Sequence, residues 1–228
     1  MRFFALALAA CSLLPTLGFA QDKKEESDDG FVSLFDGKSL NQWESSGGGW
    51  EVKDGILACS NRGKFLISEK DYADFELEFE FRLYPGTNNG LGIRVPYNKK
   101  PRYGDVKSDP AYAGMELQIL DNSARQYRNL RSHSLHGAVY GVAGSKKGAL
   151  KPVGEWNKQT VICKGSHVKV IVNGTVITDV DVIKVSDPKT IDGKAHPGLK
   201  RTTGRLVFCG HSTPIDLKNL RIKTLESK

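Results

Sequence analysis

The sequence predicts an all-β domain built from two facing antiparallel sheets, as in a sandwich or jelly roll. Short runs with apolar and polar residues in alternation fill most of the chain. Turn signals rich in its 24 glycines separate them. At 228 residues the chain is long enough for one large β domain. The net charge of +7 comes from scattered lysines and arginines. No basic run interleaved with aromatics is present, so the charge reads as solubility and not as nucleic-acid binding.

Residues 1–20 read as a secretory signal. Arg2 supplies the positive start, Phe3 to Leu14 the apolar run, and Gly18-Phe19-Ala20 a small-residue cleavage pattern. The run is too short, and too interrupted by Pro15, to span a membrane. Leu8-Ala9-Ala10-Cys11 also resembles a lipoprotein box, but cleavage there would leave an apolar Ser12–Ala20 tail. The chain is therefore expected to be exported, to the periplasm or beyond. Residues 21–30 read as a polar, acidic, disordered tether and 31–228 as the domain. Three cysteines follow the signal, Cys59, Cys163 and Cys209. They are far apart and lack CxxC spacing, which argues for buried thiols, allows at most one disulfide, and excludes a zinc cluster of the CxxC type.

Phe31–Phe35 reads as a strand, Asp36-Gly37 as a turn, and Leu40 and Trp43 as core residues. Trp50-Glu51-Val52 pairs across Asp54-Gly55 with Ile56–Cys59, a strong hairpin signal. Asp74–Leu83 is the clearest strand: Phe75, Leu77, Phe79, Phe81 and Leu83 form one face, and Glu76, Glu78, Glu80 and Arg82 a solvated one. Leu91–Val95 follows a turn that contains Asn89. Its Arg94 stands on the polar face beside Gly92, where glycine leaves room for another group to approach. His136–Val142 reads as a glycine-rich strand with His136 and Tyr140 on one face. Thr160–Cys163, His167–Val172 and Thr175–Val180 form a meander turning at Asn173-Gly174. Gly204–His211 and Ile215–Leu225 close the domain, for about a dozen strands in all.

The chemistry points to Gly114–Asn122. In an extended strand Met115, Leu117 and Ile119 face a core, while Glu116 and Gln118 stand together on the other side, about 7 Å apart. A carboxylate beside an amide suits a hydroxylated ligand; it also suits an ordinary solvated face. Asp121 reaches that face only through a bulge or past the strand end. The long polar segments Asn98–Ala113 and Ser123–Ser134 flank this strand as candidate binding loops. Nucleotide-binding glycine motifs, a GxSxG elbow and HExxH are all absent.

Ordered landmarks add a resemblance. Leu34-Phe35-Asp36-Gly37-Lys38-Ser39-Leu40-Asn41-Gln42-Trp43 is similar to the "LFDG-x-x-L-x-x-W" opening of the 3-keto-disaccharide hydrolase family, which is also described as 3-keto-glucoside lyases and hydratases. Trp50–Leu57, Tyr72–Leu77, Asn89–Arg94, Glu116–Asp121, Gly137–Tyr140 and Gly154–Asn157 follow in the family's order, so the resemblance covers about residues 31–225. Two departures stand out: Gly210 precedes His211 where a polar or small residue is usual, and Leu91-Gly92 replaces a bulkier pair. The resemblance implies a concanavalin A-like jelly roll whose concave sheet carries the site. It implies a 3-keto-glucoside substrate, whose keto group acidifies the C2 proton so that the C1 substituent can leave by elimination and water can add. In those terms Glu116 or His211 would be base or metal ligand, Arg94 would stabilise the enolate, and Tyr140 or His136 would act as acid, with Gln118, Asp121 and Asn89 binding sugar. A divalent metal held by Glu116, Asp121 and His211 fits the donor chemistry. A non-catalytic lectin-like module is the competing reading, since fold does not fix function.

Overall fold

The computed structural model describes residues 29–97, 102–105 and 107–226. The expected signal, and nearly all of the tether, lie outside the described residues. Among these, no helix is long and apolar enough to cross a membrane.

Two antiparallel sheets make the domain. The larger contains β1 (Val32–Ser33), β3 (Trp50–Lys53), β4 (Ile56–Cys59), β6 (Phe75–Leu83), β9 (Trp156–Lys164), β10 (His167–Val172), β11 (Thr175–Asp181) and β13 (Ile215–Thr224). Its order is β11-β10-β9-β6-β13-β4-β3, with β1 also pairing on β13. The smaller contains β2 (Trp43–Ser45), β5 (Leu66–Tyr72), β7 (Asn88–Val95), β8 (Met115–Leu120) and β12 (Gly204–Phe208), ordered β2-β5-β12-β7-β8. This is the jelly-roll sandwich that the alternation predicts.

One core lies between the sheets. Phe75, Leu77, Phe79, Phe81 and Leu83 of β6 are all buried and meet Leu91, Ile93, Met115, Leu117, Ile119 and Phe208 from the opposite sheet. Phe79 and Phe208 meet edge to face at 5.7 Å, a favoured aromatic geometry. Trp43 satisfies its buried indole N–H on the Leu34 carbonyl at 2.8 Å. The polar face of β6 is a solvated ion-pair network, with Glu78 accepting from Arg221 at 2.7 Å and facing Lys158 at 3.0 Å.

Two local readings change, and the expectation of buried thiols holds. His136–Val142 is not a strand: only Val139 makes isolated bridges, because Gly137 and Gly141 take φ of +79° and +73° and turn the chain. The 123–134 segment contains short helical turns at Arg125–Tyr127 and Ser132–Ser134, and further along the chain lie α2 (Val182–Val185) and a helical turn at Pro197–Lys200. Cys59, Cys163 and Cys209 are all buried free thiols.

Candidate active site

β8 is an edge strand of the smaller sheet, and its outward face meets a cavity of about 350 Å³. Glu116 and Gln118 line the floor with Asn88 of β7 and His211, just past β12. Gln118 donates its amide to Asn88 Oδ1 at 2.7 Å. Glu116 Oε1 lies 3.1 Å from His211 Nε2, and the carboxylate side chain is only 5% exposed.

Glycine makes this floor. A Cβ on Gly90, opposite Gln118, would stand 1.9 Å from Glu116 Oε1. A Cβ on Gly92, opposite Glu116, would meet Pro110 at 2.7 Å. The space beside Arg94 that the sequence foresees is therefore filled by Pro110, the first residue of α1 (Pro110–Ala113). Asp109 caps that helix, accepting from the Ala111 N–H at 3.0 Å and from the Gly104 N–H. Burial holds the Asp109 carboxyl above its ordinary range, against the two backbone donors that lower it.

His211 is fixed by its backbone. Gly210, His211 and Ser212 take φ of +75°, +48° and +56°, a reversal that non-glycine residues seldom adopt. Buried Asn89 clasps it: its Oδ1 accepts from Gly210 N at 3.0 Å and its Nδ2 donates to Gly210 O at 3.2 Å. Tyr103 stacks on the imidazole at 4.4 Å and 23°, accepts from His211 N at 3.1 Å, and donates to the Cys209 carbonyl.

Loop residues wall the cavity. Tyr103 and Tyr112 come from the segment before β8, Tyr127, Leu130 and Ser134 from the segment after it, and Tyr140 from the turn beyond. Burial raises the Tyr140 phenol above its usual pKa, as do neighbouring Tyr112 and Glu116. Lys194 donates to the Tyr112 hydroxyl at 3.0 Å and lies over its ring at 5.6 Å. His196 supports the same wall, bonding to the Ala111 carbonyl at 3.0 Å and to Asp192 at 3.1 Å.

This arrangement goes with a clear family match. The model of the 3-keto-alpha-glucoside-1,2-lyase-like domain matches residues 30–223. The chain belongs to this family. A 3-keto-disaccharide hydrolase of Bacteroides thetaiotaomicron is 29% identical over 163 residues, 61% of this chain and 55% of that protein. The lyase-like chain thus spans about half the length of the curated relative it matches. A solved structure from Parabacteroides distasonis, provisionally called a glycosyl hydrolase, is 26% identical with a TM-score of 0.66, covering 81% of this chain and 100% of the other. The exoplasmic domain of VIP36, solved with Ca2+ and mannose, shares the fold at 10% identity, with a TM-score of 0.53 over 88% of this chain and 92% of that one.

Within the lyase-like domain, the structure brings Glu116, Gln118, Tyr140 and His211 together and takes four other sequence candidates away. Arg94 is buried and points off the cleft, to the Ala73, Gly165 and Arg201 carbonyls and to Asp74 at 2.8 Å. Its φ of +52° breaks the alternation that placed it beside Glu116. Asp121 caps a loop instead of reaching the Glu116 face: its carboxylate accepts from Gly86 N at 2.9 Å and from Ser123 N at 2.9 Å. Its carboxylate is not among the donors that lie within 4.8 Å of one another around Glu116 and His211. His136 lies in the core, stacked on Phe81 at 5.0 Å and bonded to Gln159 at 3.0 Å, and desolvation lowers its pKa to about 4. Asn89 supports Gly210 and does not line the cavity. Conversely, sequence reading missed Tyr103, Asp109, Tyr112 and Tyr127. The Asp109-Pro110 capping signal and the tyrosines in long polar loops were the available hints.

Proposed function

We propose that this domain cleaves 3-keto-glycosides by removing the C2 proton, expelling the C1 substituent and hydrating the resulting glycal. The observation that carries the reading is the pairing of buried Glu116 with half-buried His211 on the floor of a cavity walled by tyrosines. With Glu116 ionised, the ring proton of His211 sits on Nε2 and the lone pair on Nδ1. A carboxylate that orients an imidazole and stabilises its protonated form is a recurrent way to make a base. His211 then accepts the C2 proton, and the C2–H electrons form the enolate of the C3 ketone. Collapse of the enolate breaks the C1–O bond and makes the C1=C2 double bond.

The leaving oxygen needs a proton and the enolate needs donors. Tyr140 fits the first role, as a phenol held protonated by its surroundings. Tyr112 fits the second: Lys194 occupies its oxygen as a donor, which leaves the phenolic hydrogen for the ligand. Gln118 and Asn88 offer amides to sugar hydroxyls. The 3-keto-disaccharide hydrolase name of the Bacteroides relative supports this substrate class.

The test is aglycone release from a purified 3-keto-glucoside. His211→Gln is expected to slow it by roughly 10²–10⁴-fold. No release from the wild type, with or without added divalent metal, would refute the reading. Tyrosine walls and paired amides also suit a lectin-like module. Glu116→Gln separates the two: a binding module keeps its sugar affinity to within one contact, whereas the enzyme loses turnover by orders of magnitude.

A further inference from the structure

Cys209 sits beneath the Glu116–His211 pair and has no part in the reaction proposed above. Its Sγ, a Glu116 carboxylate oxygen and a His211 ring nitrogen all lie within 4.8 Å of one another. Cys209 and Glu116 are buried, and His211 is half-buried at the cavity.

We propose that Glu116, Cys209 and His211 form a binding site for one thiophilic divalent cation of the zinc class, and that the bound cation blocks proton removal. The second half rests on the reaction proposed above; the first half does not.

The donor set decides the class of ion. One thiolate, one imidazole and one carboxylate suit zinc or cobalt, whereas calcium and magnesium prefer shells of oxygen. Three protein ligands with an open fourth position is the usual zinc arrangement outside structural sites. Bonds of 2.0–2.3 Å in a tetrahedron put donors about 3.6 Å apart. The Glu116–His211 pair is already at 3.1 Å and no two of the three donors are more than 4.8 Å apart, so the remaining adjustment is at most about 1 Å, at Cys209 or the carboxylate. The fourth position opens on the cavity that both Glu116 and His211 line. Asp109 lines the same cavity and adds a second carboxyl near the site.

The same geometry makes the cation an inhibitor. It takes the Nε2 lone pair, which moves the ring proton to Nδ1 and removes the base. The thiol proton is released to solvent as the sulfur–metal bond forms.

The test uses cobalt as a spectroscopic probe on protein stripped of metal with chelator. Addition of Co2+ is expected to give a thiolate-to-cobalt charge-transfer band in the near ultraviolet, with tetrahedral d–d bands at one ion per chain. Zinc should displace the cobalt one for one and suppress aglycone release. Cys209→Ser should abolish the charge-transfer band and weaken binding by at least roughly 10–100-fold. Because Cys209 is fully buried, His211→Gln provides a second variant at a half-buried position, and it should weaken binding similarly. Cys59→Ser and Cys163→Ser should keep the band. No charge-transfer band in millimolar cobalt, or a band that survives in Cys209→Ser, overturns the site. Turnover that rises with zinc overturns the inhibition. A protein that binds cobalt as described but turns over no 3-keto-glucoside leaves the site standing and refutes the reaction instead.

Discussion

Replacing Arg94 separates a structural arginine from a catalytic one. Its side chain is 3% exposed, and its partner Asp74 is 12% exposed. Three carbonyls accept from the guanidinium: Ala73 at 3.0 Å, Gly165 at 2.6 Å and Arg201 at 3.1 Å. The group thus ties the start of β6 to the β9–β10 turn and to the segment before β12. Arg94→Leu removes the charge and strands these acceptors. Breaking a buried pair from one side costs about 3–5 kcal/mol. With a urea m-value of about 2–3 kcal/mol/M, the unfolding midpoint should fall by roughly 1–2.5 M. Arg94→Lys should recover only part of this, because an ammonium cannot reproduce the fork. The assay is equilibrium urea unfolding alongside aglycone release measured well below the transition. A variant with a wild-type midpoint and abolished turnover would refute the structural assignment and return Arg94 to the substrate.

Other outcomes follow from the same contacts. Gly90→Ala should cost about 1–3 kcal/mol by overpacking and should drive Glu116 off His211, so that turnover falls with it; a stable and fully active variant would contradict the close approach. His136 is neutral in the fold, with its pKa lowered from 6.5 to about 4, while the unfolded chain takes up a proton below 6.5. Stability should therefore be fully present above pH 6.5 and fall by about 3 kcal/mol as pH drops toward 4, with His136→Gln removing that slope in pH-dependent unfolding. Burial pushes the Cys59 and Cys163 thiols to about 12 and about 11, so a thiol reagent at pH 8 should label them only after denaturation.

Much of the fold is written in strand parity. Phe75 to Leu83 alternates without a break, and the buried face is the one the pattern marks. Met115, Leu117 and Ile119 face the core as read, which puts Glu116 and Gln118 on the far side. Parity fails where the backbone leaves the β region. Arg94 has a positive φ, and Gly137 and Gly141 turn a segment whose composition is that of a strand. It is also silent about which polar residue finds a partner across the sandwich, so the core contact between His136 and Gln159 was not legible. The loop tyrosines were hidden for a different reason. They lie outside periodic structure, and only the folded arrangement of the segments around β8 brings Tyr103, Tyr112, Tyr127 and Tyr140 to one opening.

That division of labour bears on how this domain can diversify. Glu116 and the clasp on Gly210 belong to strands whose inner faces are locked in the core, and they cannot drift without disturbing the packing. The tyrosine walls hang from connecting segments, where length and composition are free to vary at little cost to stability. Descendants of one ancestor could therefore exchange walls and meet sugars with different aglycones while keeping a common floor. β8 lies at the rim of its sheet, with the 137–140 turn laid along it through the Tyr140 N–H to Glu116 carbonyl bond at 2.9 Å. An insertion in that turn would redraw one side of the opening and leave the sandwich beneath it unchanged.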